Sequence, residues 1–319
     1  MTGLDEYLAG LRAAAEPTRL RLLALCADGE LTVSELTGIL GQSQPRVSRH
    51  LKLLVEAGLL DRIREGTWAF YRLTGGGAGT RLGRGLLDMI PADDATLALD
   101  RERLGAVKQA RAGRAQAYFR KNAARWNEIR KLYVAEAEVE KALLEAMGME
   151  GVADFLDIGT GTGRILELFG EEVERGLGID LSREMLALAR ANLERAGLGN
   201  CRVRHGDMYK LPAPSASFDA AVIHQVLHYA DDPAAAIAEA ARVLRPGGRL
   251  VIVDFAPHDL EFLRRDHAHR RLGFSDDEVK GWCRAAGLVP ASTVHLPGDP
   301  LTVTIWTVRR SHPGPKEVE

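Results

Sequence analysis

From residue 4 to residue 27 apolar side chains recur at helical spacing, with Leu8, Leu11, Leu20, Leu22, Leu23 and Leu25 on the repeat and Pro17 interrupting it. A helical period broken by proline predicts two short helices that meet near Glu16-Pro17-Thr18-Arg19, the second stopped by Asp28-Gly29. Thr32 and Glu35 stand at the reciprocal capping-box spacing ahead of Val33, Leu36, Ile39 and Leu40, and Gly41 closes this third helix. Ser43 is positioned to cap a fourth, in which Val47, Leu51, Leu54 and Val55 face inward while Gln44, Arg46, Ser48, Arg49 and Lys52 face out. Two helices across so short a turn form a helix-turn-helix.

After Gly58 the pattern changes to strand-like runs, 59–64 and 67–73, flanking Glu65-Gly66, which reads as a β-hairpin with a two-residue turn. A hairpin behind a helix-turn-helix is a wing. The fourth helix then brings Gln44, Arg46, Ser48 and His50 near base edges, while Arg49, Lys52, Arg64 and Thr67 reach phosphates and Ser43 sits at the helix start.

The middle of the chain reads as connector. Gly75-Gly76-Gly77-Ala78-Gly79 predicts a flexible break, Pro91-Ala92-Asp93-Asp94 a loop that opens a helix, and the proline-free stretch 95–147 long helices. Tyr118, Phe119, Trp126, Ile129, Leu132 and Tyr133 lie on a mainly helical stripe that reads as a packing face, with Tyr118 and Trp126 as weaker candidates for a lid over a ligand.

Beyond residue 150 short apolar strands alternate with helices, the pattern of an open α/β sheet. The strand 153–158 runs into Gly159-Thr160-Gly161-Thr162-Gly163 and then the helical run 164–169. A strand-glycine-helix turn admits a ligand close to the backbone, and the spacing decides which: a dinucleotide fingerprint begun at Gly159 needs glycine at 164, where Arg164 stands. The second strand, 176–180, ends in Asp180, a carboxylate able to accept hydrogen bonds from ribose hydroxyls, with Ser182 as the next helix cap. A third, 201–205, leads to Gly206-Asp207-Met208, a carboxylate beside an apolar side chain suited to adenine. A fourth, 218–223, ends at His224-Gln225, with Asp231-Asp232-Pro233 opening another helix; a fifth covers 249–255. Ligands of such sheets sit at the carboxyl ends of the strands, where these residues fall.

Charge and composition narrow the partners. Lys plus Arg against Asp plus Glu is 9 to 9 over 1–73, 12 to 6 over 74–135 and 21 to 29 over 136–319, so a nucleic-acid footprint belongs to the first part of the chain. Cys26, Cys201 and Cys283 lie far apart and write neither a disulfide framework nor a thiolate metal site. No apolar run approaches the roughly 20 residues of a membrane span, and Met1-Thr2-Gly3-Leu4-Asp5-Glu6 lacks the features of a secretion signal, so a cytoplasmic protein without membrane partners is expected.

Ala15-Glu16-Pro17-Thr18-Arg19-Leu20-Arg21-Leu22-Leu23, 44–54 and Ala57-Gly58-Leu59-Leu60 together resemble the arsenic-repressor (ArsR) family of winged-helix repressors. The resemblance implies a double-stranded DNA operator as partner and a homodimer paired through 82–90. Many members sense metal through a cysteine pair, but Thr32 and Ser34 occupy the corresponding positions here, so no metal site is expected. The series over 135–310 resembles class I methyltransferases that use S-adenosylmethionine. That implies a cofactor, S-adenosylmethionine or its product S-adenosylhomocysteine, with Asp157, Gly159, Gly161 and Gly163 at its methionine end, Asp180 at ribose, Asp207 and Met208 at adenine, and His224 and Gln225 bordering the methyl group. Thr160, Leu181, Met185 and Gly206 complete that set.

The expected architecture is therefore multidomain: an N-terminal α+β winged helix-turn-helix for DNA binding and dimerisation (1–90), a helical connector (91–134), a C-terminal α/β Rossmann-like class I methyltransferase fold (135–310) and a tail (311–319). His224, His228, His258, His267 and His269 are candidate bases near the mouth, none singled out, and Asp266-His267-Ala268-His269 is too poor in ligands for a metal. Arsenic methylation needs paired thiols and amino methylation of DNA an Asp/Asn-Pro-Pro-aromatic signature, and neither is present. Two functions remain open: a regulator joined to an enzyme that methylates an unidentified small molecule, or a cofactor sensor that controls DNA binding.

Overall fold

The computed structural model describes residues 3–65, 67–74, 77–91, 93–122 and 135–312. The chain divides into two compact units, Met1–Gly113 and Arg114–Glu319.

The first unit contains α1 (Gly3–Ala14), α2 (Pro17–Ala27), β1 (Leu31–Thr32), α3 (Val33–Leu40), α4 (Gln44–Glu56), β2 (Leu60–Glu65), β3 (Trp68–Leu73), α5 (Gly77–Asp88) and the greater part of α6 (Ala95–Asn122). Local chemistry sets the helix ends. Glu16 caps α2 by accepting from the Arg19 amide, and Thr32 and Glu35 satisfy each other's amides at the start of α3. Leu22, Leu23, Leu36, Ile39, Val47, Leu51, Leu54 and Leu59 meet in one core, so α3 and α4 are held rigidly across their turn.

Three details differ from expectation. Glu65 pairs with Trp68, so the two-residue connection is 66–67, one position later than the sequence suggested; residue 66 lies outside the described residues. β1 adds a third strand by pairing with β3. The glycine break is shortened because α5 already begins at Gly77, and a Cβ at Gly79 would lie 2.0 Å from the Gly58 carbonyl oxygen. Glycine there permits helix-to-turn packing, whereas the sequence reading took the run for flexibility.

The basic character of the connector also has a structural use: Arg103 donates to the Ile39 carbonyl at 2.8 Å, Lys108 to the Asp28 carbonyl at 2.8 Å, and Arg111 pairs with Glu35. Its Asp100 in turn takes a bidentate pair from Arg21 of α2 at 2.6 and 2.8 Å. These bonds fasten α6 along the helix-turn-helix. Trp126, Ile129, Leu132 and Tyr133 lie outside the described residues.

The second unit contains α7 (Glu136–Met147), β4 (Asp154–Ile158), α8 (Arg164–Phe169), β5 (Arg175–Asp180), α9 (Arg183–Arg195), β6 (Cys201–His205), β7 (Phe218–His224), α10 (Pro233–Val243), β8 (Leu244–Phe255), α11 (Phe262–His267), α12 (Asp276–Ala285), β9 (Leu288–Leu296) and β10 (Val303–Arg310). Its sheet runs β6-β5-β4-β7-β8-β10-β9 and is parallel except for β10, which is antiparallel to both neighbours. Apolar layers cover both faces: Phe155, Val222, Val251 and Val253 point into one, Leu156, Ile158, Ile223 and Ile252 into the other. β9 and β10 extend the five strands expected to seven.

The order reverses at β4, which is flanked by β5 on one side and β7 on the other, so a crevice opens at their carboxyl ends. At the opposite end Asp154 binds Arg175 at 2.5 and 2.9 Å and Arg245 at 2.8 Å, while Asp219 accepts from the Ala153 and Asp154 amides. The Arg175 guanidinium, with Arg245, holds the Asp154 carboxyl below the ordinary range. Charge thus ties the strands together at the end remote from the crevice.

Candidate cofactor and DNA sites

The glycine loop that leaves β4 is closed by its own amides, which bond to the end of β5 and within the loop. Gly159, Gly161 and Gly163 have φ of 73, 53 and 83°, and the Gly159 and Thr160 amides both donate to the Ile179 carbonyl at 2.8 and 3.0 Å. The Gly161 amide donates to Asp180 Oδ2 at 2.8 Å and the Gly163 amide to the Thr160 carbonyl at 2.8 Å. Thr160 Oγ1 donates to Asp157 Oδ2 at 2.5 Å, with both residues buried. Amides engaged in this way do not form an anion cradle. The loop suits a ligand that needs close backbone approach without phosphate groups.

Asp180 anchors the next segment. Its Oδ1 accepts from the Ser182 amide at 2.7 Å, so each carboxylate oxygen holds a loop amide, Ser182 on Oδ1 and Gly161 on Oδ2. Burial pushes this carboxyl above its ordinary range, a cost that backbone donors offset. Ser182 caps α9 through the Met185 amide at 3.2 Å; Met185 itself is buried, whereas Leu181 is exposed. Beyond β6, Gly206 donates to the Asp180 carbonyl at 3.1 Å, exposed Asp207 accepts from the Tyr209 amide at 2.9 Å, and Met208 packs half-buried on the core. His224 ends β7, and Gln225 follows at φ 53° with its amide bound to the Val253 carbonyl at 2.7 Å. A left-handed glutamine is sterically strained, which marks this bend beside the crevice.

The glycine loop and the β7 bend are packed together through Val226. A Cβ at Gly159 would stand 2.4 Å from Val226 Cγ2. Just past that contact, at the ends of β7 and β8, lies a cluster of rings that the sequence treated only as separate histidines. His228 Nδ1 meets Asp254 Oδ1 at 2.8 Å, the His228 and His269 rings stack at 4.1 Å, and Tyr229 and Phe255 border them. Tyr118 from α6 meets His267 Nδ1 at 2.8 Å, and Phe119 lies edge-on to Tyr229. Burial lowers His258 to about 4 and takes His269 well below its ordinary range, so both are neutral at neutral pH. Among the described residues no group of three or more His, Cys, Asp and Glu side chains has a metal-holding arrangement.

On the winged helix, Gln44, Arg46, Arg49 and Lys52 are exposed on α4, as is Arg64 on β2 and Thr67 in the hairpin turn, while Ser48 is half-buried. Ser43 occupies the cap position, but its side chain makes no cap hydrogen bond. His50 is half-buried like Ser48, its Nδ1 3.6 Å from Glu16 Oε2 at the start of α2.

Strand order, closed glycine loop and carboxylate at the end of β5 define the second unit as a class I methyltransferase fold, and the first as a winged helix-turn-helix. Residues 156–252 match the family model of the methyltransferase domain, and residues 16–62 that of the bacterial regulatory protein, arsR family. The chain is 32% identical over 142 residues to the uncharacterized methyltransferase YcgJ of Bacillus subtilis, covering 44% of this chain and 55% of that protein. It is 51% identical over 63 residues to the arsenic resistance transcriptional regulator ArsR1 of Pseudomonas putida, covering 19% of this chain and 49% of that protein. It thus spans about half the length of these curated relatives. The crystal structure of YcgJ matches with a TM-score of 0.50 at 22% identity over 56% of this chain and 100% of that one, a likeness of fold. The chain joins an arsR-type regulator domain to an S-adenosylmethionine-dependent methyltransferase domain.

Proposed function

We propose that the second unit binds S-adenosylmethionine or S-adenosylhomocysteine across the ends of β4 to β7 and methylates a small molecule, while the first unit binds an operator in double-stranded DNA as a homodimer in the cytoplasm. The observation that carries the cofactor reading is the glycine loop whose amides are turned inward, next to a carboxylate with lone pairs to spare. That donor set fits a nucleoside lacking phosphates and disfavours a dinucleotide.

Asp157, Gly159, Thr160, Gly161 and Gly163 then border the amino-acid end, Asp180 and Leu181 the ribose, Met185, Gly206, Asp207 and Met208 the adenine, and His224 and Gln225 the methyl group. Bound S-adenosylmethionine supplies a methyl already activated by a sulfonium charge, so the chain has mainly to orient an acceptor and accept its proton. An arsenical acceptor is disfavoured because Cys26, Cys201 and Cys283 are each buried and spread over both units.

Support for DNA binding comes from the exposed Gln44, Arg46, Arg49 and Lys52 on a helix whose apolar side is locked into the core. Leu4, Leu8 and Leu11 on α1 and Met89 after α5 leave apolar side chains exposed, as a dimer contact requires. A second reading, in which cofactor or acceptor occupancy controls DNA binding, is favoured by α6, which supplies Arg111 to Glu35 in the first unit and Tyr118 to His267 in the second.

Calorimetric titration with S-adenosylhomocysteine tests the cofactor reading, and absence of binding removes it. Titrating DNA selected by the full-length chain from a random pool, with and without each cofactor form, tests the sensor. An unchanged DNA affinity excludes coupling.

A further inference from the structure

The ring cluster at the ends of β7 and β8 is built in more detail than packing demands. Asp254, fully buried, accepts from the His228 amide at 3.2 Å, from His228 Nδ1 at 2.8 Å and from the Phe255 amide at 2.8 Å. A carboxylate so placed fixes the imidazole with its proton on Nδ1 and leaves Nε2 as the acceptor. Among the described residues no hydrogen bond is made to that nitrogen.

Around it stand rings in place of counter-charges. His269 stacks on His228, Tyr229 lies 4.1 Å from it, Phe255 5.2 Å, and Phe119 closes on Tyr229 at 4.8 Å. His269 is 8% exposed, yet its Nδ1 is buried without a hydrogen-bond partner, and His258 Nε2 is in the same condition. Buried polar atoms without partners are rare, and two in one cluster mark a place where a ligand's polar atoms belong. A purely structural His-Asp strut needs neither.

We propose that His228, oriented by Asp254, is the general base of the methyl transfer, and that the acceptor is a flat, largely apolar ring bearing an acidic hydroxyl of the phenol or enol type. This rests on the cofactor reading above. The acceptor O–H bond breaks and its proton passes to His228 Nε2; an oxygen electron pair forms the bond to the methyl carbon; the C–S pair stays on sulfur, and His228 then releases the proton to water. Asp254 is the positioning residue that stabilises the imidazolium. The other titratable or charged groups of the cluster are Tyr118, Tyr229, His258, Asp259, Arg264, Asp266, His267 and His269. Asp259 acts on His258, and Asp266, paired with Arg265, acts on His267, whereas the carboxylate hydrogen-bonded to His228 is Asp254. An aliphatic alcohol is too weak an acid for an imidazole base.

The test uses the full-length protein saturated with S-adenosylhomocysteine and 4-nitrophenol as probe, whose phenolate and phenol differ in absorbance. The wild type is expected to bind the probe as phenolate, with the histidine nitrogen spectrum showing Nε2 of His228 becoming protonated. His228→Asn retains an amide donor to Asp254 but lacks Nε2. It is expected to keep its S-adenosylhomocysteine affinity while binding the probe about tenfold more weakly, as neutral phenol, for loss of one charge-assisted contact. Asp254→Asn should lower the bound phenolate fraction and lose the Nδ1–H tautomer.

Loss of S-adenosylhomocysteine binding in the wild type strikes at the cofactor reading itself. With that binding intact, no probe binding, or an unchanged phenolate fraction in His228→Asn, overturns the base. If His228→Asn does not fold, the wild-type spectrum decides: an imidazole that stays neutral beside bound probe overturns the proposal.

Discussion

Replacing Gly159 by alanine tests the link between the glycine loop and the β7 bend. At φ 73° an alanine pays the left-handed penalty of roughly 1–2 kcal/mol. Its Cβ also stands 2.4 Å from Val226 Cγ2 and 2.8 Å from Cγ1, an overpacking that costs about 1–3 kcal/mol. Together these predict a loss of about 2–5 kcal/mol, or a Tm lower by roughly 4–20 °C for a unit of this size. Val226→Ala removes both clashing atoms and leaves the Val226 Cβ, which lies 3.1 Å away. In the double variant the packing part should therefore be recovered while the backbone part persists. Urea unfolding of the two single variants and the double variant, followed by calorimetry with S-adenosylhomocysteine, measures both stability and site geometry. Wild-type stability in Gly159→Ala, or single effects that simply add in the double variant, would refute the contact as the reason for glycine.

Asp180→Ala orphans the Gly161 and Ser182 amides and removes the acceptors assigned to ribose; at about 1.5–3 kcal/mol per bond to a charged group, S-adenosylhomocysteine should bind at least about 100-fold more weakly. An unchanged Kd sinks the site assignment. Arg21→Ala leaves Asp100, 1% exposed, without its bidentate partner and should cost the first unit about 3 kcal/mol in denaturant unfolding, a loss that Arg21→Lys restores only partly. Acid should weaken the second unit before carboxylates protonate. His258 has an ordinary value of 6.5 but about 4 when folded, so the unfolded chain binds the extra proton and stability, full above pH 6.5, falls as pH drops through that window. His269 shifts in the same direction, each group contributing at most about 1.4 kcal/mol per pH unit. A Tm that stays flat between pH 7 and 5 contradicts this.

Much of the fold was legible because its signals are local. Thr32 and Glu35 are three residues apart, and the capping box they predict is present. Asp232 and Ser182 cap the helices assigned to them, and the strands of the parallel sheet end at the glycines and carboxylates that punctuate the sequence. The gaps lie where a partner is far along the chain: β9 and β10 were not among the five strands expected, and β10 joins the sheet by pairing with β8 and β9. The connector's Arg103, Lys108 and Arg111 looked like unassigned positive charge, yet they bind Glu35 and two carbonyls of the first unit, while the connector's Asp100 receives Arg21 of α2.

By itself the sequence determined the two domains, their order and the loop that distinguishes this cofactor class from a dinucleotide, because periodicity, caps and glycine spacing act over a few residues. Only the tertiary structure separates the five histidines that are equivalent along the chain: the return of β8 beside β7 places Asp254 in hydrogen-bond contact with His228 and stacks His269 upon it. A carboxylate 26 residues away in sequence sets the imidazole's proton, and that choice depends on distance and burial, which no linear pattern carries.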